Sequence, residues 1–247
     1  MAHDVHIGTC GYGRAKKPEY AAALDCVEIQ HTFYKPPQVK TLEGWRAEMP
    51  KGFEFTLKAW QFITHEGASP TYKRLKRELT EKEQKEVGAF KPTETVDYGW
   101  QVTLESAKAL NARTILFQCP AKFVQSATNI KNIRKFFKKI ERGKMNFAWE
   151  PRGKTWDPKT IEKICRDLDL WHCVDPFFNR TVTPDRCYYR LHGIKRWRYK
   201  YEQGELEELV SLLPPENLAY VFFNNNEMFD DAKRFRRIVE DADNWID

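Results

Sequence analysis

Eight short runs rich in β-branched and aromatic residues recur along this chain of 247 residues, and stretches with helical periodicity separate most of them. A strand followed by a helix, repeated about eight times, favours a parallel sheet closed by crossover helices. A (β/α)8 barrel needs about 250 residues, so we predict an α/β fold in which one TIM-like barrel uses nearly the whole chain. The runs are Val5–Cys10, Val27–Tyr34, Phe53–Ile63, Thr114–Cys119, Asn146–Trp149, His172–Val174, Cys187–Leu191 and Leu218–Phe223.

The same alternation of predicted strands and helices indicates the domain organisation. No linker rich in glycine, serine or proline interrupts it, so residues 1–247 are predicted to form a single domain. The connection formed by residues 66–97 is longer than the others. Within it, Thr80 is followed three residues later by Glu83, which is a capping-box pattern. We expect two short charged helices inserted near the carboxyl-end face of the barrel. They form either a lid over the pocket or a solvent-exposed connection without a role in it.

Composition limits the compartment and the partners. No apolar run approaches the roughly 20 residues that span a bilayer, and the amino terminus lacks a signal-peptide pattern. A cytoplasmic protein without a membrane partner is therefore expected. Six cysteines without a CxxC pair fit buried, reduced thiols. The net charge of +6 favours an anionic partner, either nucleic acid or a phosphorylated small molecule.

Polar side chains are concentrated where the predicted strands end. Both faces of a parallel sheet are covered by other parts of the protein. A charged side chain within an apolar run must therefore be paired, be hydrogen-bonded or lie at the solvent-accessible end of the barrel. Since barrel enzymes take their reacting groups from these strand ends, we predict a polar pocket there. Its candidates are Glu28, Gln30, Lys58, His65, Gln118, Glu150, Arg152, Asp175, Arg190, His192, Asn224 and Asn225.

Five of these residues are the predicted catalytic groups. Glu150 is assigned as a general base or metal ligand and His192 as a general acid or ligand. Lys58, Arg152 and Arg190 would stabilise phosphoryl charge. The alternative is an internal network in which Glu150 pairs with one of the arginines, and in which Glu28 and Lys58 form a buried pair.

A divalent metal ion is a further alternative. Glu28, Glu150, Asp175 and His192 offer oxygen and nitrogen ligands from different strands. No HExxH motif or cluster of histidines supports such a site, so the cofactor stays unknown.

The loop after the seventh strand alternates cations with rings. Lys195, Arg196 and Arg198 are interleaved with Trp197 and Tyr199. Cations that contact phosphates and rings that stack on bases suit single-stranded or flipped nucleotides. In the alternative interpretation the rings pack on the barrel and the charges face water.

Several motifs resemble one known family. HIGTCGY, VEIQHTFY, FxFxxKA with ITH, LFQCPAKF, WEPRxxxW, YYRLHG and VFFNNN follow one another over nearly the whole chain. In this order they resemble the YecE-like family, named domain of unknown function 72. The resemblance implies a TIM barrel and a pocket at Glu28, Phe33, Tyr34, Lys58, His65, Gln118, Glu150, Arg152, Trp156, Arg190, His192 and Asn224. It brings no established reaction.

The leading hypothesis is a phosphodiesterase or nuclease that acts on nucleic acid or another phosphate-containing substrate. In this hypothesis the substrate is bound by Lys195, Arg196, Trp197, Arg198 and Tyr199 after the seventh strand and by the pocket residues Glu28, Tyr34, His65, Gln118, Trp156 and Asn224. Two alternatives stay open: a non-catalytic barrel that binds nucleic acid, and a metal-free enzyme of sugars or sugar phosphates.

Overall fold

The computed structural model describes residues 4–195, 197–214 and 217–244. Its strands follow the chain in spatial order and form a closed parallel barrel, which confirms the predicted fold class. The strands are β1 (Val5–Cys10), β2 (Cys26–Ile29), β3 (Glu54–Lys58), β4 (Thr114–Gln118), β5 (Asn146–Glu150), β6 (Leu170–Val174), β7 (Arg186–Leu191) and β8 (Leu218–Phe223).

Helices occupy most connections between these strands. They are α1 (Lys17–Ala23), α2 (His31–Tyr34), α3 (Val39–Ala47), α4 (Gln61–Thr64), α5 (Glu81–Glu86), α6 (Glu94–Leu110), α7 (Ala127–Lys139), α8 (Pro158–Leu168), α9 (Gln203–Ser211) and α10 (Met228–Asn244), with a 3₁₀ helix at Pro70–Leu75.

The chain consists of two compact units. The terminal unit comprises Met1–Glu28, Glu48–Glu54 and Trp171–Asp247, and the central unit comprises Ile29–Ala47 and Phe55–Leu170. The expectation that residues 1–247 form one domain therefore stays a prediction.

In the terminal unit, β1 pairs with both β2 and β8, and β7 pairs with β8. Tyr20 of α1 joins the first two strands although it is fully buried. Its hydroxyl accepts the backbone N–H of Thr9 at 2.8 Å and donates to the carbonyl oxygen of Cys26 at 3.0 Å. A buried phenol needs such partners, and here they fix the carboxyl end of β1 against the start of β2.

In the central unit, β4 pairs with both β3 and β5. The amphipathic helix α7 begins at residue 127 because the Ser126 side chain accepts the backbone N–H of Asn129. Phe136 and Phe137 of this helix pack on Phe117 of β4 with ring centroids 5.8 and 4.9 Å apart. The core thus lies between the strands and the apolar faces of the helices.

Two predicted strands are too long. β2 ends at Ile29 and β3 at Lys58, and the rest of each run forms the short helices α2 and α4. Phe33 of α2 and Phe62 of α4 are buried like strand residues. Periodicity cannot separate a short buried helix from a buried strand, so these runs were misassigned beyond the strand ends.

The stretch predicted as an insertion contains the 3₁₀ helix and α5. The capping box is present, since Thr80 accepts the backbone N–H of Glu83 at 3.2 Å and Glu83 accepts that of Thr80 at 2.9 Å. The stretch ends earlier than residue 97, because Thr93 caps α6 by accepting the backbone N–H of Val96.

Two further predictions concern the cysteines and membrane-spanning segments. All six cysteines are buried and free, which confirms the prediction of reduced thiols. Within the described ranges, every helix is too short or too polar to cross a membrane.

Candidate functional site

In the terminal unit, a buried carboxylate on β2 is surrounded by donors from two other strands, β1 and β7. Glu28 is opposite Cys10 in the β1–β2 register, and Tyr188 and Arg190 lie two residues apart on β7, where alternate residues share a face. The Glu28 Oε1 is 3.0 Å from the Arg190 Nη2 and 3.3 Å from the Cys10 Sγ, and its Oε2 accepts the Tyr188 hydroxyl at 2.8 Å. These four residues are named the Glu28 cluster.

The Glu28 cluster has the character of an internal ion-pair network. Glu28 is 0% and Arg190 is 1% exposed, so both charges depend on each other and on neighbouring dipoles. Burial raises the pKa of the Cys10 thiol well above its ordinary value, although the nearby Arg190 opposes the shift. Cys10 therefore stays protonated at neutral pH. Sequence reasoning missed Tyr188, which the two-residue spacing to Arg190 would have indicated.

His192 lies next to this cluster and is more accessible, with its side chain 33% exposed. Its Nδ1 is 2.9 Å from the Arg190 carbonyl oxygen, and its Nε2 is 3.5 Å from the Arg190 Nη1. A carbonyl only accepts, so Nδ1 carries the proton in that contact. The Asp175 carboxylate accepts the His192 backbone N–H at 3.0 Å and thereby fixes the start of the loop.

The loop after β7 divides into exposed and anchored residues. Trp197 is 57% exposed, and the Arg198 guanidinium lies 4.9 Å from its ring centroid. The Tyr199 hydroxyl donates to Glu205, and this hydrogen bond raises the pKa of Tyr199 to about 12. Lys195 is exposed. The predicted substrate contact Arg196 lies outside the described residues.

The two asparagines after β8 support this loop through their backbone and side chains. The Asn224 backbone N–H donates to the Leu191 carbonyl at 2.8 Å. The Asn225 amide donates to the Tyr199 carbonyl and to the Asp231 carboxylate, both at 2.7 Å. The Asn225 side chain thus holds the loop in place, whereas Asn224 is half-buried at the end of β8.

In the central unit, cations and rings gather at the end of β3. Lys58 is 4% exposed, and its Nζ lies 3.9 Å from the Phe33 ring centroid and 5.9 Å from that of Tyr34. The Arg74 guanidinium lies 3.5 Å from the Tyr34 centroid. Ring faces attract cations at these distances. Sequence reasoning missed Arg74, because the basic run around it does not indicate which of its cations stacks on Tyr34.

A carboxylate and a guanidinium lie at the end of β5. The Arg152 Nε donates to the Glu150 Oε1 at 2.6 Å, and the side chains are 37% and 8% exposed, respectively. Gln118 is opposite Glu150 in the β4–β5 register and is half-buried. The ion pair that was considered as the alternative for Glu150 is therefore present, with the arginine on the accessible side.

His65 is held neutral between these groups. Burial lowers its pKa to about 3, the cations Lys58 and Arg152 act in the same direction, and Glu150 opposes them. Its Nδ1 is 2.8 Å from the Thr64 hydroxyl. The residues so connected are named the Lys58 cluster: Phe33, Tyr34, Lys58, His65, Arg74, Glu150 and Arg152.

Trp156, a predicted substrate contact, uses its polar atom within the central unit. Its Nε1 donates to the Phe123 carbonyl at 2.7 Å, and its ring packs edge-on against Trp149. It is buried, so its hydrogen-bonding capacity is used within the protein.

We expect His65 to make the free energy of unfolding depend on pH. The unfolded imidazole titrates near its ordinary pKa of 6.5, whereas the folded one resists protonation until about pH 3. Between these values the unfolded chain binds more protons, so stability falls as the pH is lowered through that window. Urea unfolding at pH 7 and pH 5 should show a smaller loss for His65→Gln than for the wild type.

The exposed His31 supplies the control for this experiment. His31→Gln should keep the wild-type pH dependence. If His65→Gln loses as much stability as the wild type between the two pH values, the imidazole is not held neutral.

The candidate metal ligands are not gathered into a ligand set. No three His, Cys, Asp or Glu side chains come together in a way that would hold an ion, as far as the described ranges extend. Both Glu28 oxygens also accept hydrogen bonds from protein donors.

Comparison with known proteins identifies relatives over the full length. The family model described as "Protein of unknown function DUF72" matches residues 10–245. The UPF0759 protein YunF of Bacillus subtilis is 25% identical, and the match covers 96% of this chain and 94% of that protein. A DUF72 family crystal structure from Enterococcus faecalis has a TM-score of 0.74 at 19% identity, covering 96% and 95% of the two chains. Another from Thermotoga maritima has a TM-score of 0.70 at 22% identity, covering 96% and 100%.

Barrels with other activities are more distant. Endonuclease IV from Thermus thermophilus has a TM-score of 0.53 at 14% identity, covering 96% of this chain and 100% of that one. D-psicose 3-epimerase has a TM-score of 0.56 at 12% identity, covering 93% and 92%. At such identities the likeness concerns the fold alone.

Proposed function

We propose that this chain, which belongs to the family of proteins of unknown function DUF72, is an enzyme that hydrolyses phosphodiester bonds, with nucleic acid as its substrate class. The single observation that carries the proposal is the charge balance of the Lys58 cluster. Lys58, Arg74 and Arg152 each carry one positive charge, and His65 is neutral. Glu150 is the one carboxylate of the cluster and compensates one of the three positive charges. This excess of two positive charges suits a phosphate group.

The accessibility of the cluster decides which cation meets the substrate. Arg74 is exposed, and the Arg152 side chain is 37% exposed with its Nε held by Glu150, so these two guanidinium groups are the cations of the cluster nearest to solvent and the ones a phosphate would meet first. Lys58 is fixed over a ring and acts through its charge on the same phosphate. Such preorganised cations stabilise the charge that develops during phosphoryl transfer.

Glu150 is the proposed general base. Its carboxylate takes a proton from a water molecule, the water oxygen bonds to phosphorus, and the bond from phosphorus to the leaving oxygen breaks. The products are a phosphomonoester and an alcohol, whose oxygen takes up a proton from solvent. Glu150 later returns its proton to solvent, so the protein ends unchanged.

The cell compartment is part of this proposal. Six free, buried thiols suit the reducing cytoplasm, where nucleic acids and phosphorylated metabolites are present.

Removing the Arg152 guanidinium tests the proposed phosphate contact. Titration of thymidylyl-thymidine by calorimetry at low salt should show binding to the wild type that weakens about tenfold or more in Arg152→Gln, since charged hydrogen bonds contribute about 1.5–3 kcal/mol. Lys154→Gln, which changes an exposed cation two residues away, should bind like the wild type. Equal affinities of all three proteins would contradict the proposal.

The same titrations separate the alternatives. Binding of oligonucleotides without hydrolysis, with or without divalent ions, would identify a non-catalytic nucleic-acid-binding barrel. Binding that does not weaken as salt rises, or no binding at low salt, would reject both nucleic-acid functions. Phosphorylated sugars would then be the next ligand class to titrate.

A further inference from the structure

A cavity of about 290 Å³ lies in the central unit beside the 3₁₀ helix. Lys35, Trp60, Lys76, Arg77 and Tyr98 contribute to its wall, and this lining is named the Trp60 cavity. Its volume is at the lower end of small-ligand sites, which start near roughly 300 Å³. It therefore suits one small unit of a ligand.

Trp60 lines this cavity with a buried ring that is held in place. The residue is 5% exposed, and its indole Nε1 has no hydrogen-bond partner anywhere in the described part of the chain. One face of the indole is already stacked on Phe62, with ring centroids 3.7 Å apart, which holds the ring in place.

Tyr98 offers a largely exposed ring to the same cavity. It is 56% exposed, and its centroid lies 5.7 Å from that of Trp60 in an edge-on arrangement. Asp97, which precedes Tyr98 on α6, forms an ion pair with Lys139. An exposed ring in the wall of a cavity is suited to a planar heteroaromatic group that stacks on it.

Charge in the cavity wall is of one sign. Lys35 and Lys76 are exposed, and Arg77 is held by the Glu83 carboxylate through two hydrogen bonds of 2.7 and 2.6 Å. No carboxylate is among the described residues that line the cavity. With Arg77 compensated by Glu83, the two lysines remain to contact an anionic group.

Three residues of the Trp60 cavity lie within two positions of Lys58 cluster residues in the sequence. Lys35 follows Tyr34, Trp60 is two residues after Lys58, and Lys76 is two residues after Arg74. From this juxtaposition we propose that the cavity is a second subsite, which binds a neighbouring nucleotide unit of an extended substrate. The base stacks on Tyr98 against the wall formed by Trp60, and Lys35 and Lys76 contact its phosphate. The assignment rests on the proposed function, since the Lys58 cluster holds the phosphodiester that reacts.

The test compares affinities for a fluorescein-labelled hexathymidylate, measured by anisotropy between about 50 and 300 mM salt, a range over which phosphate contacts weaken measurably. Tyr98→Ala combined with Lys76→Gln should weaken binding about tenfold or more, because stacking contributes about 1–3 kcal/mol per base. It should also reduce the slope of log affinity against log salt by about 0.7, the value for one phosphate contact to a single strand. Tyr98→Phe keeps the ring and should bind like the wild type, as should Lys159→Gln, which changes an exposed lysine of α8.

The outcomes separate this proposal from the proposed function. If Arg152→Gln weakens hexathymidylate binding but the double variant does not, the second subsite is overturned and the proposed function stands. If only the double variant weakens binding, the cavity binds nucleotide and the function assigned to the Lys58 cluster fails. Unlabelled thymidine monophosphate, used as a competitor against the wild type, distinguishes a free nucleotide from a strand. Should it compete as well as unlabelled hexathymidylate, the extended substrate is overturned.

Discussion

Replacing Arg190 with methionine is expected to lower the free energy of unfolding by about 3–5 kcal/mol, because the fully buried Glu28 carboxylate would lose its guanidinium. Methionine fills much of the arginine volume, so the loss reports on charge more than on packing. Urea denaturation with a common slope for wild type and variant measures the change.

A second substitution distinguishes ion pairing from a cavity effect. Glu28→Gln added to Arg190→Met removes the buried charge, so the double variant should be destabilised by less than the sum of the two single variants, with a coupling of about 0.5–3 kcal/mol. The exposed pair of Glu162 and Arg166 is the control, with a separation of 3.9 Å. Arg166→Met should cost less than about 1 kcal/mol. Additive losses at Glu28 and Arg190 would contradict the ion-pair interpretation.

The strand order and two strands could be predicted with their full bounds. β1 and β8 begin and end as predicted, because each run is followed by turn-forming or polar residues. The runs that contain Phe33 and Phe62 were assigned as strand throughout, since burial in a short helix selects the same residue types as burial in a strand. Local sequence does not carry the information that separates the two.

The candidate site was predictable in its members more than in its contacts. The ends of β2, β3, β5 and β7 indicated Glu28, Lys58, Glu150 and Arg190. Which charges compensate each other depends on register across strands far apart in the chain, as with Glu28 and Arg190, 162 residues apart. Arg74 and the Trp60 cavity arise largely from the stretch between β3 and α6, whose fold no periodic pattern fixes.

Glu150→Gln is expected to lower kcat/KM for phosphodiester hydrolysis by about 10²–10⁴-fold, the usual contribution of a general base. Glutamine retains the shape and an oxygen that can accept from Arg152, so the variant should fold and bind the dinucleotide. Glu105→Gln, at an exposed position of α6, is the matched control and should retain the wild-type rate.

The most direct test of the central claim, that the Lys58 cluster is a reacting centre for phosphodiesters, is the rate of bis(p-nitrophenyl) phosphate hydrolysis by wild type, Glu150→Gln and Glu105→Gln. It is measured in the presence of magnesium or manganese and after treatment with a chelator. We expect the wild type and Glu105→Gln to turn over at the same rate in at least one condition and Glu150→Gln to be slower by about a hundredfold or more. Equal rates for all three proteins, or no turnover by the wild type in any condition, would contradict the claim.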